Sequence, residues 1–315
     1  MRGDSPIRGQ ISSQPSEPVR VGSVTLAGPI LTASGTAGYG TELAPYLDLS
    51  ELGAIVTKSL APYEWPGNPS PRVAPIRNGM MNAVGLQGPG VEYWLEHVLP
   101  GLLDTGATVV ASIWGRSVED YRLAAEQLAE APAGVVAVEV NLSCPNLEGR
   151  GSIFAHDADL SAEVIAATAP CGRPRWAKLS ANTDRIVEVA GAVVDAGAEA
   201  LTCINTLLGL AYDPDTLEPT LGAGGGGVSG KAIHPVAVRA VHDVHAALPE
   251  VPIVAAGGVA TGWDAIEMFL AGASAVEVGT ATFADPRAPL RIQHEVLDWM
   301  RERGITTVTQ ITALR

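Results

Sequence analysis

The chain has 315 residues, 47% of them hydrophobic and 17% charged, with a formal net charge of -14. That composition supplies a large core, and so acidic a surface excludes a protein built to hold phosphate backbones, so no nucleic-acid partner is expected. No apolar run reaches the roughly 18 residues of a membrane span and residues 1–20 hold no apolar signal-peptide stretch, so a cytoplasmic protein without a membrane partner is expected.

Residues 1–20 are rich in Ser, Pro, Gly and Arg and read as a flexible N-terminal tail. After that, short apolar runs alternate with helical stretches. Residues 30–34 read as a strand, followed by a glycine-rich turn and a short helix at 42–47; residues 54–59 are the next strand. A Pro-, Gly- and Asn-rich excursion then runs from 61 to 90, a length that usually serves a function. A helix at 91–104, a strand at 108–113 and a helix at 118–130 follow, then a strand at 136–142 and a helix at 158–168. The pattern continues with a strand at 175–179, a helix at 184–196 and a strand at 200–205. A second long loop, 206–231, holds four consecutive glycines, and beyond it come a helix at 235–248, a strand at 252–256, a helix at 261–270, a strand at 275–278 and a last helix at 286–303. Eight uninterrupted strand–helix units predict a parallel sheet closed as a (β/α)8 TIM barrel, one domain over 21–315 with long loops on its C-terminal face. A doubly wound open sheet is the other architecture such alternation allows.

In a barrel the chemistry sits on the loops after the strands. Those positions here are Ser34, Lys58-Ser59, Ser112, Asn141 through Asn146, Lys178, Asn205-Thr206, Gly257-Gly258 and Gly279-Thr280, nearly all polar or Gly. The two glycine turns, each read as lying just before a helix, fit an anion such as the phosphate of a ligand or cofactor. Lys58 and Lys178 end apolar strands, where burial demands an anionic partner. A Schiff-base lysine and a cation beside an electron-rich cofactor ring are both open readings. The segment Val138 through Asn146 places the thiol of Cys144 between two carboxamides, Asn141 and Asn146, able to read a polar heterocycle by donating and accepting together.

Other signals carry little. Gly35-x-x-Gly38-x-Gly40 does not have the dinucleotide-fingerprint spacing, Gly230-Lys231 lacks the P-loop ending, and the six histidines show no HExxH pattern. The three cysteines, Cys144, Cys171 and Cys203, form no Cys-x-x-Cys pair, so no metal or iron–sulfur site is expected in this chain, and their sparse count suits a reducing compartment.

Taken together, Val140 through Asn146, Gly67-Asn68-Pro69-Ser70-Pro71-Arg72, Asn82 through Gln87, Ile204-Asn205-Thr206, Gly227-Val228-Ser229-Gly230 and Phe283-Ala284-Asp285-Pro286 closely resemble dihydroorotate dehydrogenase of class 1, best its NAD-linked type, over about residues 21 to 304. The resemblance implies an FMN-containing barrel that oxidises dihydroorotate to orotate in pyrimidine biosynthesis, with Cys144 removing the C5 proton and hydride leaving C6 for flavin N5. It implies a catalytic lysine, Lys58, near flavin and substrate. Asn82, Asn141, Asn146, Asn205 and Thr206 are implied as substrate contacts, with the backbone of Ala83, Val84, Gly85 and Leu86. Ser34, Lys58, Ser59, Ser112, Asn141, Lys178, Ile204, Gly230, Gly257, Gly258, Gly279 and Thr280 are implied as cofactor contacts, the last four as a phosphate clamp. Ser112 stands where the family commonly has Asn, and the stretch after Asn146 departs from the pattern. The NAD-linked type implies a homodimer and a partner subunit carrying FAD and a [2Fe-2S] cluster. The runner-up readings are the fumarate-linked class 1 enzyme and a related flavin-dependent dihydropyrimidine oxidoreductase, whose relatives carry His where Asn146 stands.

Overall fold

The computed structural model describes residues 18–143 and 153–315. Cys144, Asn146 and the segment up to 152 lie outside the described residues, as do residues 1–17.

The described chain opens on a hairpin, β1 (Val19–Val21) and β2 (Val24–Leu26), antiparallel and closed through Gly22 at φ +60°. The tail reading for 19 and 20 is therefore corrected. Alternation of buried Val with exposed Arg and Thr gives these residues a strand face against the core. Then come β3 (Ile30–Thr32) and β4 (Ala54–Val56), and from the first long loop the hairpin β5 (Val73–Ile76) and β6 (Gly79–Asn82). Next are β7 (Val109–Ile113), β8 (Val135–Asn141), β9 (Arg175–Lys178) and β10 (Ala200–Cys203). The second long loop supplies β11 (Leu207–Gly209) and β12 (Gly226–Ser229), and β13 (Ile253–Ala256) and β14 (Ala275–Val278) complete the set.

Eight of these strands, β3, β4, β7, β8, β9, β10, β13 and β14, close in that order into a parallel barrel, β14 pairing β3. The predicted (β/α)8 architecture is what forms. Val, Ile, Leu and Ala dominate the strands because both faces are covered, the inner by the barrel filling and the outer by helices. The strands carried by the two long loops pair with one another as β11-β12-β6-β5, an antiparallel sheet standing over the C-terminal mouth.

Two helical expectations change. Residues 42–47 form successive turns rather than a helix, with one 3-10 turn at Leu49–Glu51 capped by Asp48; Pro45 within the stretch has no N–H to donate. The helix expected at 91–104 forms, but Pro100 cannot bond Glu96, and the ladder widens to a π turn at Trp94–Val98. The last long helix forms as expected, at Ala288–Glu302, and a short helix at Ala281–Ala284 precedes it. A short helix at Val308–Thr312 is added at the end.

Candidate active site

A cavity of about 600 Å³ opens at the C-terminal ends of the barrel strands and is roofed by the four-stranded sheet. Its floor is set by charge. Lys178 ends β9 with its ammonium 2.9 Å from Glu277 on β14, 3.3 Å from Glu139 on β8 and 3.1 Å from the Ser34 hydroxyl, to which it donates. The expectation that a buried lysine needs an anion is met twice. Neither glutamate was a candidate from sequence, although a lone acid in an otherwise apolar strand is the signal that could have found both.

Amides line one wall. Asn141 ends β8; its Oδ1 accepts from the Asn205 side chain at 3.0 Å and from Ser143 N at 3.2 Å, and its Nδ2 donates to Ser59 Oγ at 3.2 Å. Asn205 Oδ1 accepts from Thr206 N at 2.7 Å, fixing both carboxamides. Asn82 sits at the end of β6, donating to Gly227 O at 3.4 Å, so the roof sheet carries it to the mouth. The following backbone of 83–86 turns with Gly85 and Leu86 at positive φ and is tied down by Asn68 Nδ2 on Ala83 O (3.1 Å) and Trp65 Nε1 on Gly85 O (3.0 Å). Asn182, which sequence reading passed over, also lines the cavity and donates to Thr206 O at 3.0 Å.

Lys58 reaches the cavity from the loop after β4. It donates to Gln87 O and, at 3.3 Å, to the Tyr39 hydroxyl, and it forms no ion pair with a carboxylate among the described residues. Burial, aided by the charge of Arg72, lowers its pKa to about 8. The ammonium therefore titrates close to working pH.

The opposite end is glycine. Gly230, Gly257, Gly258, Gly279 and Thr280 line the cavity together with Ile204. A Cβ on Gly258, at φ +74°, would lie 2.7 Å from His234 Cβ and 2.8 Å from Gly230 O. The helix after this turn begins only at Gly262, and its first donors are already taken: Asp264 accepts from Ala260 and Thr261, and Glu295 from Gly262. An anion would thus be held by the turns themselves rather than by that helix end. Gly258→Ala is expected to destabilise the fold by about 1–3 kcal/mol through the left-handed backbone alone, checked by urea unfolding.

Ser112 departs from expectation. It is fully buried, bonded to Ser59 Oγ at 2.9 Å and donating to Glu139 at 3.2 Å, and it does not reach the cavity wall. A serine is too short to pass the layer that Ser59 occupies. Every other described candidate lines the cavity.

A model of the family described as dihydroorotate dehydrogenase matches residues 18–300. The chain belongs to the dihydroorotate dehydrogenase family. It is 42% identical over 299 residues, 95% of its own length and 97% of the relative's, to "Dihydroorotate dehydrogenase B (NAD(+)), catalytic subunit" of Geotalea uraniireducens. The identically named protein of Geobacter sulfurreducens is 42% identical over the same shares. That of Desulforamulus reducens is 43% identical over 296 residues, 93% of this chain and 96% of the relative. The family resemblance carried by the motifs is thereby established. Among the described residues, no helix is long and apolar enough to cross a membrane.

Proposed function

We propose that the protein oxidises dihydroorotate to orotate in pyrimidine biosynthesis, with FMN in the barrel mouth, as the catalytic subunit of an NAD-linked enzyme. The observation that carries this reading is one cavity walled by locked carboxamides and a half-buried lysine, with a glycine cradle at its far end. About 600 Å³ is ample for a ligand of nucleotide size. The fit to FMN rests on that cradle: Gly230, Gly257 and Gly258 take positive φ, and side chains there would collide with their neighbours.

Bound FMN would supply the hydride acceptor. Gly257-Gly258 and Gly279-Thr280 would hold its phosphate, and Lys178 and Ser34 would be among its other contacts. Asn82, Asn141, Asn205 and Thr206 would fix the substrate's amide edges, so that its plane is set before reaction. Lys58 would attract the anionic substrate. Cys144 would take the C5 proton; it lies outside the described residues, but Ser143 and Ile153 on either side both line the cavity. Electrons would leave through a partner iron–sulfur flavoprotein carrying FAD, a role in keeping with the "B (NAD(+)), catalytic subunit" name of the relatives; the working unit would be a homodimer of this chain with that partner.

The test is direct: purified protein should be yellow and its flavin absorbance should bleach when dihydroorotate is added without oxygen. Bleaching by dihydrouracil but not dihydroorotate would overturn the substrate. Reoxidation by fumarate but not by the flavoprotein partner with NAD would overturn the electron route. A pH prediction follows from Lys58. Its charge is present below about pH 8 and lost above it, so KM for dihydroorotate should rise as pH passes about 8. In Lys58→Arg, which stays charged, that alkaline rise should disappear. A KM in the wild-type protein that stays flat across the range would remove the charge from substrate capture.

A further inference from the structure

Glu277 is a buried titratable group that the proposed chemistry leaves without a role. Its side chain and that of Glu139 are fully buried, and Lys178 beside them is 4% exposed. Two carboxylates and one ammonium would leave a full negative charge below the cavity floor, which is costly away from water. Both carboxyls crowd the one ammonium, at 2.9 Å from Glu277 and 3.3 Å from Glu139. Glu277 Oε1 is buried and has no hydrogen-bond partner among the described residues. A single proton on the pair removes both difficulties.

The partners say which acid holds it. Glu139 receives Lys178 on both oxygens, at 3.3 and 3.4 Å, and Ser112 Oγ at 3.2 Å. Glu277 receives Lys178 on Oε2 alone, at 2.9 Å. The better solvated carboxylate is the ionised one. Burial first, and then the charge of Glu139, push Glu277 well above the usual carboxylate range, against the pull of Lys178. Burial acts on Glu139 too, but there the Lys178 charge and the hydrogen bonds to its carboxylate outweigh it and hold it low. The strands flanking β14 add no titratable side chain, being Ile253–Ala256 and Ile30–Thr32. The Cys203 thiol, also near Lys178, is pushed up to about 12 by burial and stays neutral.

We propose that Glu277 is held as a neutral acid and acts as a positioning residue for Lys178, sharing one proton with Glu139 so that the triad below the cavity carries no net charge and either acid can serve as the counter-ion. The protonation state stands on the triad alone. Its consequence for a bound flavin rests on the function proposed above: losing the proton at alkaline pH would add one negative charge at the floor of the cavity and lower the potential of a flavin held there.

The primary experiment compares unfolding midpoints of the wild-type protein and Glu277→Gln from about pH 4 to about pH 8. A raised carboxyl keeps its proton in the folded state while the unfolded chain has lost it above about 4.3, so wild-type stability falls with rising pH across that window. Glu277→Gln, which mimics the neutral acid, lacks this loss. Its midpoint relative to wild type should climb by several degrees over the range. A difference that stays constant with pH, or a variant that loses ground as pH rises, overturns the proposal. Infrared spectra at neutral pH supply a second reading that needs no unfolding: a protonated-carboxyl band present in wild type and missing in Glu277→Gln is expected, and no such band overturns it. The counter-ion claim is tested by Glu139→Gln. Each single variant should keep one anion for Lys178, and the double variant should fall by more than the sum of the singles; additive losses overturn it. On the flavin-loaded protein, the potential should drop more steeply with pH in wild type than in Glu277→Gln, and equal slopes overturn the link to the ring. A colourless protein would defeat the flavin reading and leave the unfolding and infrared results to decide the proton.

Discussion

Lys178→Met is expected to lower stability at about pH 7 by about 3–5 kcal/mol, the scale for removing one partner from a buried ion pair. The methionine fills nearly the same volume, so the loss is electrostatic rather than a cavity. It leaves Glu139 and Glu277 fully buried without the ammonium they share, Glu139 keeping the Ser112 hydroxyl. In the wild-type protein Glu139 is held below its ordinary pKa. A depressed carboxyl contributes stability that is present above the unfolded pKa and lost as pH falls through the folded one. Without Lys178 that contribution disappears, and both acids resist ionisation. The penalty should therefore be largest near neutrality and shrink toward about pH 5, where the variant can protonate both. Urea unfolding of the two proteins at both pH values measures this. Adding Glu139→Gln to Lys178→Met should recover most of the loss, since the pair then holds one neutral amide and one neutral acid. A penalty independent of pH would mean that packing, and not charge, governs the position.

The barrel was legible because each of its strands is buried on both faces, which writes an apolar run into the sequence, and because helices punctuate those runs at regular intervals. The roof was not legible. β6 and β12 come from loops about 145 residues apart, as the Asn82 to Gly227 bond shows, and Gly226-Gly227 has almost no strand propensity. Their pairing is a long-range fact that no local pattern announces. The candidate site divides in the same way. Residues at strand tips, such as Lys58, Asn141 and Gly257, were placed by topology alone. Glu139 and Glu277 were missed because their significance lies across the barrel, in a lysine on a third strand. Ser112 was misplaced by one layer, because its contact depends on side-chain length and not on position along the strand. The first helix failed for a local reason that was visible, Pro45 within it.

The chemistry itself should show most sharply in Cys144→Ser. Flavin reduction by dihydroorotate is expected to slow by about 10²–10⁴-fold at neutral pH, the usual worth of a positioned base. A thiol with a pKa near 8.5 has thiolate available close to neutrality, whereas a serine hydroxyl has essentially no alkoxide there. No other thiol can substitute: Cys203 is pushed up to about 12 by burial, and Cys171 is raised by burial as well. Serine is also the smaller change in shape, so orotate binding should hold within a few-fold while the reduction rate collapses, which separates the loss of a base from the loss of a site. In wild type the rate should level off as pH passes the thiol pKa; in the variant it should go on rising with pH, because hydroxide or the hydroxyl must do the work. Anaerobic stopped-flow reduction across pH measures both limbs. Reduction at the wild-type rate in Cys144→Ser would take the proton transfer away from residue 144 and leave the asparagines and Lys58 to account for the rate by positioning alone.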